Sequence, residues 1–520
     1  MRAQLPTIRH TDAGGQLLVD GKPYLILGGE LGNSSAGTAA QADTILPKLA
    51  AMHLNTVLMP VSWDQMEPTE GTFDFAILDH WIDVARVQHL HLVLLWFGSW
   101  KNSESSYAPL WVKNNPQRFP RALAEDGTPL EILSTLGEET EKADGRAFGA
   151  LMKHVRTVDE KQRTVLMVQV ENEVGYLGYG RDRSKAANAM FSGAVPAELM
   201  EKLEAHRGAF SDELQTHFDP QGKTWRGVFG DDADEVFMAW SYARYIEHVA
   251  EQGKRAYALP MYANCQLPAP DERAGEYPSG GPHPAYQEVY RVTAPALDFY
   301  APDIYWPDFA YWANRFRANG NALFVPEARI NTAAYNAFYA FGEANAFGFS
   351  PFGVDSVAMD ADGKDDVYGI TSAFGVLSEL NDRVLAAQAN GTMRGVVMSA
   401  ESPRPTQTVA LGGYLFDATL ARSWPTKSLL TKNGAMIVIE GAPNEFYVAG
   451  SGMYVSFARD PDVDDRVSGI GSIEEVRREG GGWVTVSRMN GDQSNQGRAL
   501  QMEAHGFHVY RVVLYANPRP

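Results

Sequence analysis

The sequence predicts an α/β fold: a (β/α)8 TIM barrel over residues 1–390, followed by a smaller all-β, sandwich-like domain over residues 391–520. Three observations lead there. From about Tyr24, short apolar runs alternate with amphipathic stretches of helical length, the pattern of parallel strands joined by crossover helices. Polar and aromatic residues gather where the apolar runs stop, as the carboxyl ends of barrel strands require. Beyond Gly391 the texture changes to short β-type runs separated by Gly- and Asp-rich turns.

The candidate barrel strands, in order, are "YLILGGE", "NTVLMPVSW", "LVLLWFGSW", "VLMVQVENE", "LPMYANC", "LDFYAPDIYW", "ALFVPEAR" and "AFGFSPFG". The last is the weakest in pattern. Between them, Phe148, Leu151, Met152 and Val155 recur at helical spacing, as do Phe237, Tyr242, Tyr245 and Val249. After "SAESPRPTQT", a linker or first element of the second unit, come "AMIVIEG", "EFYVAG", "MYVSFA", "WVTVSR" and "FHVYRVVLY".

Composition narrows the function. Apolar residues make up 45% and charged residues 21%, which supplies a core and excludes a disordered chain. A formal charge of −19 repels phosphate backbones and anionic membrane surfaces, so nucleic acid and membrane are not expected partners. The single Cys265 permits no internal disulfide and reads as a structural thiol. No run reaches the length of a membrane span, and "MRAQLPTIRH" lacks the apolar core of a signal peptide. A leader removed beforehand would place the protein in the periplasm or outside the cell, and otherwise it would be cytoplasmic. Oligomeric state is not legible.

Residues at or just past strand ends are Glu30, Trp63, Trp100, Lys101, Asn102, Glu173, Asn264, Tyr305, Trp306 and Glu327. Two carboxylates on different strands, Glu173 and Glu327, suit glycoside hydrolysis, which uses one as acid and base and the other as nucleophile or base. The bland alternative for Glu327 is an ion pair with Arg329. Strand alternation would put Glu171 and Glu173 on one face and Asn172 on the other, and leaves open which glutamate is structural. Tryptophan faces suit the C–H faces of sugars, while Asn102, Lys101 and Glu30 could hold hydroxyls, although Lys101 could equally be a solvated loop charge. No histidine lies at these strand ends, and His89 and His91 begin the third strand, so no metal site is expected.

"QVENEVG" resembles the "QxENEYG" signature of family 35 glycoside hydrolases, retaining β-galactosidases, and "NTVLMPVSWDQMEPTEGTFDF" and "LLVDGKPYLILGGEL" resemble their second and first strand regions. The likeness spans about the first 390 residues. It departs at Val174, at "MPVSWDQMEP" and at "WFGSWKNSESSYAPLWVK", so sugar contacts from strands two and three do not carry over by name. The resemblance implies Glu173 as acid/base, Glu327 as nucleophile, Tyr305 as its hydrogen-bond donor, Asn172 on the 2-hydroxyl, and no cofactor. It further implies hydrolysis of terminal β-linked galactose from oligosaccharides, with xyloglucan side chains as a plausible source. Another sugar specificity, or a carbohydrate-binding barrel without catalysis, is the alternative.

Overall fold

The computed structural model describes residues 4–11, 14–178, 180–269, 272–360, 366–423 and 426–518. Eight parallel strands close into a barrel: β1 (Ile26–Glu30), β2 (Thr56–Ser62), β3 (His91–Lys101), β4 (Val165–Asn172), β5 (Met261–Gln266), β6 (Phe299–Ile304), β7 (Phe324–Ala328) and β8 (Gly348–Pro351). Each is followed by a helix: α1 (Ala39–Ala51), α2 (Ala76–Val87), α3 (Glu138–Asp159), α4 (Ala233–Ala256), α5 (Gln287–Thr293), α6 (Phe309–Phe316), α7 (Ile330–Gly342) and α8 (Ile370–Asn390). The predicted (β/α)8 order is therefore present, and the weakly patterned "AFGFSPFG" supplies β8, paired to β7 and to β1.

The strands read as nearly unbroken apolar runs because both faces are covered. Inward-facing Ile26, Leu58, Val93, Leu95, Leu166, Tyr262, Phe299 and Phe324 fill the barrel, and Leu17 of an amino-terminal three-stranded sheet joins them. Outward residues meet the helices, among them Phe148, Leu151, Met152 and Val155 of α3 and Phe237, Tyr242, Tyr245 and Val249 of α4, all buried. Both long helices carry acids in the first turn and bases in the last, matching the helix dipole. Gly28 is required by close approach: a Cβ there would lie 2.2 Å from Ser350 Oγ on β8.

After α8 the chain forms a six-stranded antiparallel sheet of β9 (Met393–Ser399), β12 (Asn433–Glu440), β13 (Glu445–Ser451), β18 (His508–Asn517), β15 (Val467–Glu479) and β16 (Gly482–Arg488). A four-stranded sheet of β10 (Gln407–Leu411), β11 (Tyr414–Leu420), β14 (Met453–Arg459) and β17 (Ala499–Gln501) packs on it. Alternation along β12 divides its side chains between two cores. Met436 and Val438 meet the second sheet, while Ala435, Ile437 and Ile439 belong to the core shared with the barrel helices.

Candidate active site

At the end of β4 the backbone departs from strand geometry. Glu171 and Glu173 have φ of +62° and +42°, a left-handed conformation that side chains other than glycine rarely adopt. The expected alternation therefore fails here. Glu171 turns out of the barrel, where its Oε2 accepts the Trp100 backbone N–H at 2.8 Å. Burial, then the neighbouring Asp144 carboxylate, pushes its pKa well above the usual range. Asn172 and Glu173, expected on opposite faces, instead both reach the group of side chains around Glu327.

Glu327, buried at the end of β7, accepts the Tyr305 hydroxyl at 2.7 Å and the Asn172 amide at 3.4 Å. Among the described residues it makes no ion pair with Arg329, which is exposed. Glu173 accepts Asn102 Nδ2 at 2.6 Å, and its backbone N–H donates to Asn264 Oδ1 at 2.8 Å. Carboxylate oxygens of Glu173, Glu327 and Asp303 all lie within 4.8 Å of one another. Burial and the Glu327 charge raise Glu173 to about 8, against the opposing charge of Lys101. Glu173 thus holds a proton at neutral pH while sitting beside a carboxylate.

Glu30, at the end of β1, is wholly buried, and neither carboxyl oxygen has a protein hydrogen-bond partner. Burial, and then the neighbouring Glu327 charge, pushes its pKa well above the usual carboxylate range. Lys101 is not a solvated loop charge: it is only 6% exposed. Burial opposes its charge, yet Glu327, Glu173, Glu30 and Asp303 together raise its pKa. The Asn172 Oδ1 is buried without a partner, an acceptor left open within the site.

Not every predicted residue joins this group. Trp63 and Trp100 are fully buried in the barrel wall. The Trp63 Nε1 donates to Glu67 at 2.8 Å, and that of Trp100 to the Leu133 carbonyl at 3.1 Å, with Tyr242 and Tyr245 against the Trp100 ring. Neither ring offers a face to a sugar, because their apolar surface closes the helix–strand interface instead. Trp306 is half-buried, its Nε1 held by the Leu267 carbonyl at 3.1 Å. Cys265 is buried against His283, with its thiol pKa pushed up by burial.

Sequence reasoning overlooked Asp303. It lies within the apolar run of β6, two residues before Tyr305, and its Oδ2 accepts Asn264 Nδ2 at 2.6 Å while Oδ1 has no partner. A charged residue inside a buried strand was the available signal. The three carboxylates are spaced to hold a cation, but one oxygen of each already accepts an amide or hydroxyl, and Lys101 supplies a positive charge to the same group.

Residues 35–195 match the model of glycoside hydrolase family 42, described as β-galactosidase. That is a different family from the family 35 whose motifs the sequence resembles. The match takes in β2 to β4 with Asn172 and Glu173, and ends well before Glu327. Residues 370–501 match a domain of unknown function, DUF5597, which runs from α8 through most of the β-rich unit. A β-galactosidase of Xanthomonas manihotis is 30% identical over 187 residues, 34% of this chain and 27% of that protein, so the chain spans about a quarter of the length of this relative. Among solved structures, a β-galactosidase from the psychrophilic Marinomonas ef1 aligns at 13% identity and TM-score 0.44 over 70% of this chain and 60% of that one. The catalytic domain of a Paenibacillus polymyxa β-amylase aligns at 12% identity and TM-score 0.44, over 62% of this chain and 91% of that one.

Proposed function

We propose that the protein is a retaining exo-β-galactosidase, with residues 1–390 as catalytic unit and 391–520 as accessory unit. The observation that carries this reading is the pairing of Glu173 and Glu327, whose carboxylate oxygens approach within 4.8 Å. Retaining enzymes hold their two carboxyl groups about 5–5.5 Å apart, whereas inverting ones need about 6.5–9.5 Å to admit a water. Glu327, oriented by Tyr305 and Asn172, attacks the anomeric carbon while Glu173 delivers its proton to the leaving oxygen. Glu173, now a carboxylate, then takes a proton from water, which releases the sugar and regenerates Glu327. The open acceptor of Asn172 is suited to the sugar's 2-hydroxyl, a contact that strengthens in the transition state. Glu30, Lys101 and Asn102 are the groups we assign to the remaining hydroxyls, with Trp306 at the rim.

Galactose is favoured by the family 42 model and by the Xanthomonas relative, and the family 35 motifs agree in activity. Membership of family 35, and xyloglucan side chains as the source of galactose, are part of the proposal and rest on the motif resemblance. The test is a panel of aryl β-galactoside, β-glucoside, β-mannoside and β-fucoside, compared by kcat/KM. The galactoside is expected to lead, and a glucoside cleaved equally well overturns the specificity. For the mechanism, Glu327→Gly is expected to lose turnover and to recover part of it with azide, which fills the space of the nucleophile. Full activity without azide overturns that assignment.

A further inference from the structure

A cleft of about 940 Å³ lies between the carboxyl end of the barrel and the β-rich domain, at the upper end of the roughly 300–1,000 Å³ of small-ligand sites. Its barrel wall begins next to the catalytic candidates in the chain. Trp306 follows Tyr305, the donor to Glu327, and Arg329 stands two residues beyond Glu327 itself. The opposite wall belongs to the second domain and includes Arg404, Gln407 and Lys432.

The lining has the chemistry of a saccharide site. Trp306 and Tyr335 supply apolar ring surface, Asn331 and Asn433 supply amides, and Gln407 supplies its Oε1 as an acceptor, its Nε2 being held by the Val397 carbonyl at 3.0 Å. Arg329, Arg404 and Lys432 form no ion pair among the described residues, although the chain carries an excess of acidic groups. The same lining carries the carboxylates of Asp308 and Glu401, which form no ion pair with these cations among the described residues, so both charges face the cleft. A purely structural domain junction would be expected to close over apolar contacts, as the α7 face does elsewhere, and not to leave a polar cleft of this size.

We infer that this cleft binds the part of an oligosaccharide that follows the terminal sugar, so that the β-rich domain reads the leaving group. The inference rests on the proposed hydrolase reading and names its substrate class: a galactosyl-terminated oligosaccharide long enough to reach from Glu327 to Arg404. The enzyme then prefers long substrates to disaccharides, and the preference resides in residues of two domains.

The experiment uses the full chain and compares a galactosyl-terminated oligosaccharide of four or more sugars (about the length needed to cross a cleft of this size) with aryl β-galactoside. In Arg404→Ala and Gln407→Ala the ratio of oligosaccharide to aryl kcat/KM is expected to fall about fivefold each, mainly through KM, the loss that one removed hydrogen-bonding contact produces. An unchanged ratio in both variants overturns the inference. In parallel, calorimetric titration of the oligosaccharide into Glu327→Gln, with and without Arg404→Ala, reads binding without turnover. If no aryl glycoside is cleaved but the oligosaccharide binds more weakly in the Arg404 variant, the hydrolase reading falls and the cleft stands. If titration shows equal affinity with and without Arg404, the cleft falls whatever the activity.

Discussion

Glu173 is raised to about 8 by two causes that act together, desolvation and the nearby Glu327 charge. A folded-state value above the unfolded one means that the folded chain binds the proton more tightly. This contribution to stability is fully present below the ordinary carboxyl value and is lost as pH rises towards 8. For activity the same shift sets a basic limb, above which the acid has lost its proton. Lys101 lowers the value by favouring the carboxylate, so Lys101→Met is expected to move the basic limb of kcat/KM upward, and a downward shift would contradict the arrangement. Glu173→Gln is expected to slow substrates with poor leaving groups by about 10²-fold or more, the usual worth of a general acid, while activated aryl glycosides suffer less. Glu171→Gln should leave the leaving-group dependence as it is and lower the melting temperature, because its carboxyl holds the Trp100 backbone rather than facing Glu327. The opposite pattern, with Glu171 governing the leaving-group dependence, would reassign the acid.

The elements that carry these side chains are held by close approaches more than by their own propensities. Helix α7 follows directly on β7, the strand of Glu327, and lies against β9 of the second domain. The contact is tight because Gly395 on β9 has no side chain. A Cβ there would fall 2.9 Å from the Phe338 carbonyl oxygen and 2.9 Å from the Glu343 backbone nitrogen, neither of which is a flexible group. Gly395→Ala is therefore expected to cost about 1–3 kcal/mol through forced displacement of α7. Thermal unfolding followed by circular dichroism would read it as a drop of about 1–3 °C, at about 1 °C per kcal/mol for a chain of 520 residues unfolding as one unit. An unchanged melting temperature would mean that the helix yields without cost.

Across the whole molecule, the two units share a core. Phe507, just before β18, stacks on Phe338 of α7 at 4.9 Å between ring centroids, and Tyr335 packs beside it at 5.4 Å. The barrel-facing side chains of β12 and β13 join the same apolar cluster as α7 and α8. Such continuity couples the unfolding of one unit to the other. Calorimetry of the intact chain is expected to give one main transition, and Phe507→Ala should lower its stability by about 3–5 kcal/mol, the range for deleting a buried phenylalanine ring. Two well-separated transitions in the unaltered chain would show that the contact is too weak to couple them.

Periodicity alone determined the fold class, since burial on both faces leaves an apolar run for every barrel strand and a polar residue where each run ends. Even the sparse "AFGFSPFG" obeyed that rule. The same rule singled out Glu30, Lys101, Glu173 and Glu327, because a charge closing a buried strand stands out against its neighbours, whereas the roles expected of Asn172 and Tyr305 came from the motif resemblance. Trp63 and Trp100 passed the same filter without facing the site, as an aromatic ring at a strand end has the same pattern whether it meets a sugar or a helix. Asp303 failed it, lying inside its strand rather than at the end. Strand alternation left open which of Glu171 and Glu173 faces Glu327; the motif resemblance implied Glu173, and the physical reason lies in the tertiary structure. Two left-handed residues break the alternation at the end of β4, and that backbone is sustained by partners far along the chain: Trp100, Asn102 and Asn264. The proton on Glu173 belongs to the tertiary structure for the same reason, since desolvation and the field of Glu327 exist only once barrel closure brings the ends of the non-adjacent strands four and seven together.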